Sequence, residues 1–285
     1  MRELADKEIL EIIRRALDED IGAGDITTEA LFPKPKIIQA VIIAGGEGVL
    51  SGISVAMAAF VMRDSKIKFM PLVADGEWVE PEKQIAYIEG DPNAILTAER
   101  TALNFLSHLS GIATLTEQFV EAVKPHKVKI MDTRKTAPGL RILEKYAVGV
   151  GGGANHRLGL HDQILIKDNH LAALGYDWEA VARAIEASRG KKIKVEVEVQ
   201  DIDQFKHVIG LNPDIIMLDN MSLKEIKAAV ALRRDEGHYG LQLEASGGIN
   251  LKNVKRTAAT GVDMISIGAL THSAKAIDFS LEIVR

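Results

Sequence analysis

Residues 194–199 read Lys194-Val195-Glu196-Val197-Glu198-Val199. Side chains along a strand alternate between its two faces. One face therefore carries Lys194, Glu196 and Glu198, and the other carries three valines. Helices outside an α/β barrel need an apolar outer face, so the valines belong outside and the charges inside. Charges inside a barrel are costly unless paired or used. Glu198 lies nearest the mouth and is the expected ligand contact. Glu196 lies deeper, the expected partner of Lys194 or of another barrel cation. An edge strand with one wet face would alternate in the same way, so the neighbouring segments have to decide.

Those neighbours alternate strand with helix from residue 128 onward. Strands are expected at Val128–Thr133, Gln163–Lys167, Lys194–Val199, Ile215–Asp219, Leu241–Ala245 and Met264–Ile267. Helices are expected near 138–147, 177–189, 201–210, 222–236, 251–260 and 273–283. Intervals of about 20–34 residues suit βα units and a parallel sheet. Six strands are too few for a complete eight-stranded barrel, so either the barrel is incomplete or the sheet is open and doubly wound.

Barrel chemistry gathers at the carboxyl ends of strands. There this chain places Asp132-Thr133-Arg134, Lys167-Asp168, Glu198, Asp219-Asn220, Ser246-Gly247-Gly248 and Gly268. The Ser-Gly-Gly turn resembles a phosphate cradle, in which backbone N–H groups approach an anion and a following helix N-terminus adds partial positive charge. Gly268 would form its other half. Between Asp132 and His170 lies an island of cations (Arg134, Lys135, Arg141, His156, Arg157, His161, Lys167, His170) around Gly149, Gly151, Gly152 and Gly153. Such a cluster suits a small polyanion. One side of the bowl thus fits carboxylates. The other, with Glu198 and Asp219, fits ribose hydroxyls or a phosphate-bound Mg²⁺.

The preceding part is organised differently. Residues 5–18 read as an amphipathic helix with Leu4 on its apolar face and Asp6 as N-cap. The acidic, Gly-containing turn 19–28 suits a structural loop better than a metal site. Strands at Ile37–Ala44, Gly48–Ile53, Lys66–Leu72 and Ile85–Glu89, with a short helix Ser54–Met62, make a small α+β sheet domain. A long apolar helix over 94–122 carries Arg100, which is expected either to pair with Glu99 or another acid on the surface or to serve a site.

Composition narrows the function. The net charge of −5 argues against non-specific nucleic-acid binding. The absence of cysteine excludes disulfides, cysteine-ligated metal and thiol catalysis. The N-terminus is acidic and unlike a signal peptide, and no apolar run approaches the roughly 18 residues of a membrane span.

In order, the motifs Asp20-x-Gly22-x-Gly24-Asp25-x-Thr27, Glu99-Arg100-x-Ala102-Leu103-Asn104, Asp132-Thr133-Arg134-Lys135-Thr136-x-Pro138-Gly139, Gly151-Gly152-Gly153-x-Asn155-His156-Arg157, Leu165-Ile166-Lys167-x-Asn169-His170, Glu196-Val197-Glu198-Val199, Leu218-Asp219-Asn220, Glu244-Ala245-Ser246-Gly247-Gly248 and Gly268-Ala269-Leu270-Thr271-His272-Ser273 span essentially the whole chain. Together they resemble the quinolinate phosphoribosyltransferase family. The departures are minor: Ala137 stands where Thr is frequent, and Asp201-Ile202 follows the glutamate strand.

The resemblance implies an N-terminal α/β sandwich domain over 1–112, an incomplete six- to seven-stranded α/β barrel over 113–269, and a C-terminal segment, 270–285, packed back on the first domain. It implies that quinolinate and 5-phosphoribosyl-1-pyrophosphate give nicotinate mononucleotide, pyrophosphate and CO₂ in NAD synthesis. Mg²⁺ accompanies the diphosphate, there is no organic cofactor, and the location is cytoplasmic. Arg134, Arg157 and Lys167 would hold the quinolinate carboxylates with His156 nearby. Arg100 would reach in from the partner of a homodimer, in which one subunit's N-terminal domain covers the other's barrel mouth. Lys135, Glu198 and Asp219 would contact phosphoribosyl pyrophosphate, and Ser246, Gly247, Gly248 and Gly268 its 5-phosphate. A related transferase acting on nicotinate is the alternative, though one carboxylate needs fewer cations. A non-catalytic anion-binding relative would not need Lys135, Glu198 and Asp219, which are all present.

Overall fold

Ile9, Ile13 and Leu17 recur at helical spacing and are buried along one face of helix Lys7–Ile21, whose outer face pairs Arg14 with Glu11 and Asp18. The computed structural model describes residues 7–191 and 193–284, so the expected contributions of Leu4 and Asp6 lie outside the described residues. Among those residues the strands are β1 (Ile38–Ala44), β2 (Gly48–Val49), β3 (Lys68–Pro71), β4 (Trp78–Val79), β5 (Gln84–Gly90), β6 (Lys129–Met131), β7 (Ile164–Ile166), β8 (Val195–Val199), β9 (Ile215–Asp219), β10 (Gln242–Ser246), β11 (Met264–Ser266) and β12 (Phe279–Ile283).

The chain divides into two units that interleave in sequence. One holds the chain up to Glu117, Thr136–Gly152 and the segment from Thr271 onward; the other holds Gln118–Lys135 and Gly153–Leu270. Residues 136–152 sit inside the range 113–269 expected for the barrel, yet they pack with the first unit. One reason is steric. A Cβ on Gly151 would stand 2.2 Å from the Ala113 carbonyl oxygen, so this backbone lies against helix Pro92–Val123.

In the first unit, antiparallel strands run in the order β12-β1-β5-β3. Ile42, Ile85 and Ile88 from this sheet are fully buried, as are Phe60 of helix Ile53–Arg63 and Leu103, Leu106 and Leu109 of the long helix. The C-terminal segment departs from expectation. Residues 279–283 form β12, which pairs with β1 in register Ala40–Ile283 to Ala44–Phe279, where a helix over 273–283 was expected. The expected strand at 48–53 is also shorter, because Gly52 turns the chain into the next helix at φ +97°.

The second unit is an all-parallel sheet ordered β6-β11-β10-β9-β8-β7. Numbered within the unit this is 1-6-5-4-3-2, the sequence of a barrel whose first and second strands do not pair. The incomplete barrel, rather than a doubly wound sheet, is therefore the architecture. The open seam is partly filled by Ala154, which forms an isolated parallel bridge with Met131. Val195, Val197 and Val199 are at most 1% exposed. They belong to the layer shared with amphipathic helices Trp178–Ser188, Ile202–Ile209 and Leu223–Asp235, capped by Asp177, Asp201 and Ser222.

Candidate active site

The open seam of the barrel determines where the key histidine stands. Asp132, fully buried just beyond β6, accepts the His156 N–H at 2.8 Å and the Asn155 side-chain amide at 2.7 Å. Ala154 N–H meets the Ile130 carbonyl at 2.8 Å. The segment 154–156 is thereby clamped alongside β6. Asp132, expected among the polar residues facing the bowl, is used as this clamp.

His156 Nδ1 accepts the Arg157 N–H at 2.8 Å, and Nε2 lies 3.0 Å from Glu196 Oε2. Gln163 donates to the same oxygen at 2.6 Å. Glu196 is thus a deep partner, but of His156 and Gln163. Lys194 instead reaches Gln242 at 3.4 Å on the exposed rim. Arg157 is 8% exposed and donates through Nη1 to the Gln163 carbonyl at 3.1 Å, while its Nε is buried without a hydrogen-bond partner.

The electrostatics divide the site. Burial, and then the neighbouring Arg134 charge, pull the Arg157 guanidinium below the usual arginine range, opposed by Glu196 and Asp162. Two guanidinium groups held close in a largely dry place repel one another unless an anion lies between them. A few residues away the signs reverse. Glu198, 4% exposed, pairs with Lys167 Nζ at 2.9 Å and faces the Asp168 N–H at 3.4 Å. Burial first, and Glu198 second, raise the Asp219 carboxyl above its usual range, while Asn220 hydrogen-bonds it at 2.8 Å. Two carboxylates that repel at the end of adjacent strands fit a divalent cation or a developing positive charge. Lys167, whose side chain is 43% exposed, offsets the carboxylate pair, touching Glu198 and acting on Asp219 through space. Lys135 is exposed, its N–H on the Thr133 hydroxyl at 3.0 Å.

Beyond β10 the chain turns through Gly247 (φ +89°) and Gly248 (φ +62°). Consecutive left-handed residues aim N–H groups into a concavity, which is how an anion cradle is made. The helix expected to begin at 251 begins at Val254 and ends at Ala258. The cradle therefore relies on loop N–H groups, braced by Asn253 Nδ2 on the Gly248 carbonyl at 2.9 Å. β10 and β11 pair in parallel, Ala245 opposite Ile265, so the chain leaves both strands on the same side and Gly268 follows β11 as Gly248 follows β10. A Cβ on Gly247 would stand 2.2 Å from Asn220 Oδ1. Gly247→Ala should therefore raise the KM for the phosphorylated substrate by at least about tenfold, with backbone strain of about 1–3 kcal/mol; steady-state kinetics with that substrate varied would show it.

Other cations of the island have local duties. Arg141 donates to the Thr136 hydroxyl at 3.0 Å, and His170 Nδ1 accepts the Lys167 N–H at 2.9 Å. Gly149 falls within helix Arg141–Val150, and Gly151 serves close packing. Asp25 caps helix Ile26–Leu31 and takes the hydroxyls of Thr28 and Thr97 at 2.6 and 3.0 Å, a structural loop. In the first unit Arg100 is exposed on helix Pro92–Val123. Sequence reading missed Asn155, Gln163 and Glu244 as functional neighbours.

An incomplete parallel barrel with a cation pair, a carboxylate pair and a glycine cradle at its strand ends is the arrangement of an α/β-barrel phosphoribosyltransferase. The chain belongs to the quinolinate phosphoribosyl transferase family. It matches the family's N-terminal domain over residues 25–110 and its C-terminal domain over 112–282. It is 43% identical over 274 residues to a carboxylating nicotinate-nucleotide pyrophosphorylase of Mycobacterium leprae, covering 95% of each chain. It is also 43% identical to a probable enzyme of that name from Methanocaldococcus jannaschii, covering 97% of each. The solved nicotinate-nucleotide pyrophosphorylase of Francisella tularensis superposes with a TM-score of 0.91 at 39% identity, covering 99% of this chain and 98% of that one.

Proposed function

We propose that this protein transfers the phosphoribosyl group of 5-phosphoribosyl-1-pyrophosphate to the nitrogen of quinolinate, releasing pyrophosphate and CO₂ and leaving nicotinate mononucleotide for NAD synthesis. The observation that carries this reading is the presence of two opposite charge pairs within one unit: Arg134 beside Arg157, and Glu198 beside Asp219, with Lys167 on the carboxylate pair.

Arg134, Arg157 and Lys167 fit two adjacent carboxylates, and such a clamp fixes the pyridine nitrogen toward the anomeric carbon. Ser246, Gly247, Gly248 and Gly268 hold the 5-phosphate. As the bond to pyrophosphate breaks, the leaving oxygen keeps the electron pair and positive charge develops on the ribose ring. Glu198 and Asp219 stabilise that charge, an electrostatic effect that is large in a water-poor site. Lys135 draws off the diphosphate. Mg²⁺ carried in with the diphosphate, near Glu198 and Asp219, would offset the leaving group's negative charge. Ribosylation leaves the pyridine nitrogen positively charged. The bond to the adjacent carboxylate then breaks, CO₂ departs, the electron pair stays on the ring carbon beside that nitrogen, and a proton from solvent completes the product. No side-chain nucleophile is needed.

The same reading makes the protein a cytoplasmic homodimer in which Arg100 completes the quinolinate site of the partner subunit. Its exposure on the long helix is consistent with that use. Among the described residues no helix is long and apolar enough to cross a membrane. The test of function is pyrophosphate release with phosphoribosyl pyrophosphate, Mg²⁺ and either quinolinate or nicotinate. Turnover with quinolinate is expected, and turnover with nicotinate alone would overturn the reading. The shared site has its own test. Mixing inactive Arg100→Ala and Lys167→Ala proteins should restore partial activity, and no recovery after confirmed subunit exchange would contradict it.

A further inference from the structure

Beneath the cation pair lies a buried group that the proposed chemistry does not use. Glu244, in the middle of β10, has no solvent exposure, and its carboxyl oxygens have no well-aligned hydrogen bond, the Ser266 hydroxyl being the polar neighbour that interacts with them. Its Oε2 lies 3.7 Å from His156 Nε2. One ligand atom each from His156, Glu196 and Glu244 falls within 4.8 Å of the other two. Around Glu244 stand Glu196 from β8, His156 from the clamped segment, Ser266 from β11 and Lys167 at the end of β7, with Met217 opposite on β9. Glu196 in turn interacts through charge with Arg157, which has Arg134 as a neighbour.

Two carboxyl groups this close and this dry cannot both be ionised. Glu196 has the Gln163 amide and His156 to support a negative charge. Glu244 has neither. A proton on Glu244 has two neighbours that can accept it, the Ser266 hydroxyl and the Glu196 carboxylate, one oxygen of which lacks a partner.

We propose that Glu244 is a positioning residue that stands in the barrel as a neutral carboxylic acid, keeps its proton in an O–H directed toward the Glu196 carboxylate, and so holds His156 in the Nε2–H tautomer that anchors Arg157. The tautomer follows from geometry. His156 Nδ1 accepts the Arg157 N–H, so Nδ1 carries no proton and the neutral ring carries its hydrogen on Nε2, which stands 3.0 Å from Glu196 Oε2 but outside good hydrogen-bond alignment. Ionising Glu244 adds a second negative charge beside Nε2. That charge favours a doubly protonated ring, in which Nδ1–H would expel the Arg157 N–H and loosen the guanidinium of the carboxylate clamp.

Burial, followed by the Glu196 charge, pushes the Glu244 carboxyl up to about 8. A carboxyl raised in the folded state binds more protons there than in the unfolded chain. The stability this gives is complete at acid pH and is lost as pH climbs through the raised value.

The kinetic consequence rests on the quinolinate reading; the protonation state does not, and it can be read without substrate. Infrared difference spectra of protein labelled with ¹³C-glutamate should show a protonated carboxyl band at neutral pH that disappears as pH passes about 8. That measurement needs no variant, and absence of the band at neutral pH would overturn the proposal. Glu244→Gln keeps a donor toward Glu196. It should remove the band, keep kcat and the quinolinate KM within about threefold at neutral pH, and abolish the severalfold rise in KM that wild type shows above the transition. Glu244→Leu, which has no donor, should raise that KM by at least about tenfold. Equal effects of Gln and Leu, or a stoichiometric metal ion bound by wild type and lost in Glu244→Gln, would also overturn it.

Discussion

Glu198→Gln should lower kcat by about 10²–10³-fold, the usual cost of removing one preorganised group from a developing charge. The KM for phosphoribosyl pyrophosphate should change little, because the cradle of Ser246, Gly247 and Gly248 is untouched. The amide is nearly the same shape, so Asp168 N–H retains an acceptor in place of the 3.4 Å contact. What is lost is the negative charge that pairs with Lys167 at 2.9 Å and that the proposed mechanism sets against the ribose. The substitution also moves Asp219. Glu198 is the second cause, after burial, of its raised carboxyl, so neutralising Glu198 lets Asp219 ionise at lower pH. The acid limb of kcat/KM should therefore shift toward lower pH in Glu198→Gln. A limb that stays in place would show that Asp219 does not titrate in the free enzyme.

Arg157→Met should be the most damaging change on the other side of the bowl. Removing one partner of a buried, hydrogen-bonded charge pair costs about 2–5 kcal/mol. The expected result is a quinolinate KM higher by more than about thirtyfold, with the KM for phosphoribosyl pyrophosphate nearly unchanged. Arg157→Lys keeps the charge but cannot present two parallel N–H groups to a carboxylate, so it should recover only part of the loss. Loss of the Nη1 bond to the Gln163 carbonyl, 3.1 Å in the native chain, will also loosen the segment 157–163. Thermal unfolding measured beside the kinetics separates that effect from substrate binding. An equal rise in both KM values would contradict the assignment of Arg157 to the base.

The barrel was legible because its strands alternate so plainly. Glu196 and Glu198 point inward as their spacing demands, and β9 runs from Ile215 to Asp219 as read. The partner of Glu196 was not legible. Alternation fixes the face of a side chain, but not which distant residue meets it there; Gln163 and His156 arrive from chain more than thirty residues earlier. Asp132 misled for a related reason. Its place at a strand end is that of a ligand contact, yet the open seam beside β6 puts backbone N–H groups within its reach first. The C-terminal segment was misread because its apolar residues can be fitted to helical spacing. Within it Phe279, Leu281 and Ile283 also alternate with Ser280 and Glu282, and the free edge of β1 selects the strand. The short helix after the glycine cradle starts late because Asn250 and Asn253 take up the intervening turn.

The central claim is that glycosyl transfer and decarboxylation occur together on quinolinate. The direct measurement is the ratio of labelled CO₂ to pyrophosphate released when quinolinate labelled in the carboxylate next to the ring nitrogen is incubated with the protein, phosphoribosyl pyrophosphate and Mg²⁺. The two products should appear in equal amounts, and only when all components are present. Pyrophosphate released without labelled CO₂, or labelled CO₂ released without phosphoribosyl pyrophosphate, would contradict the account.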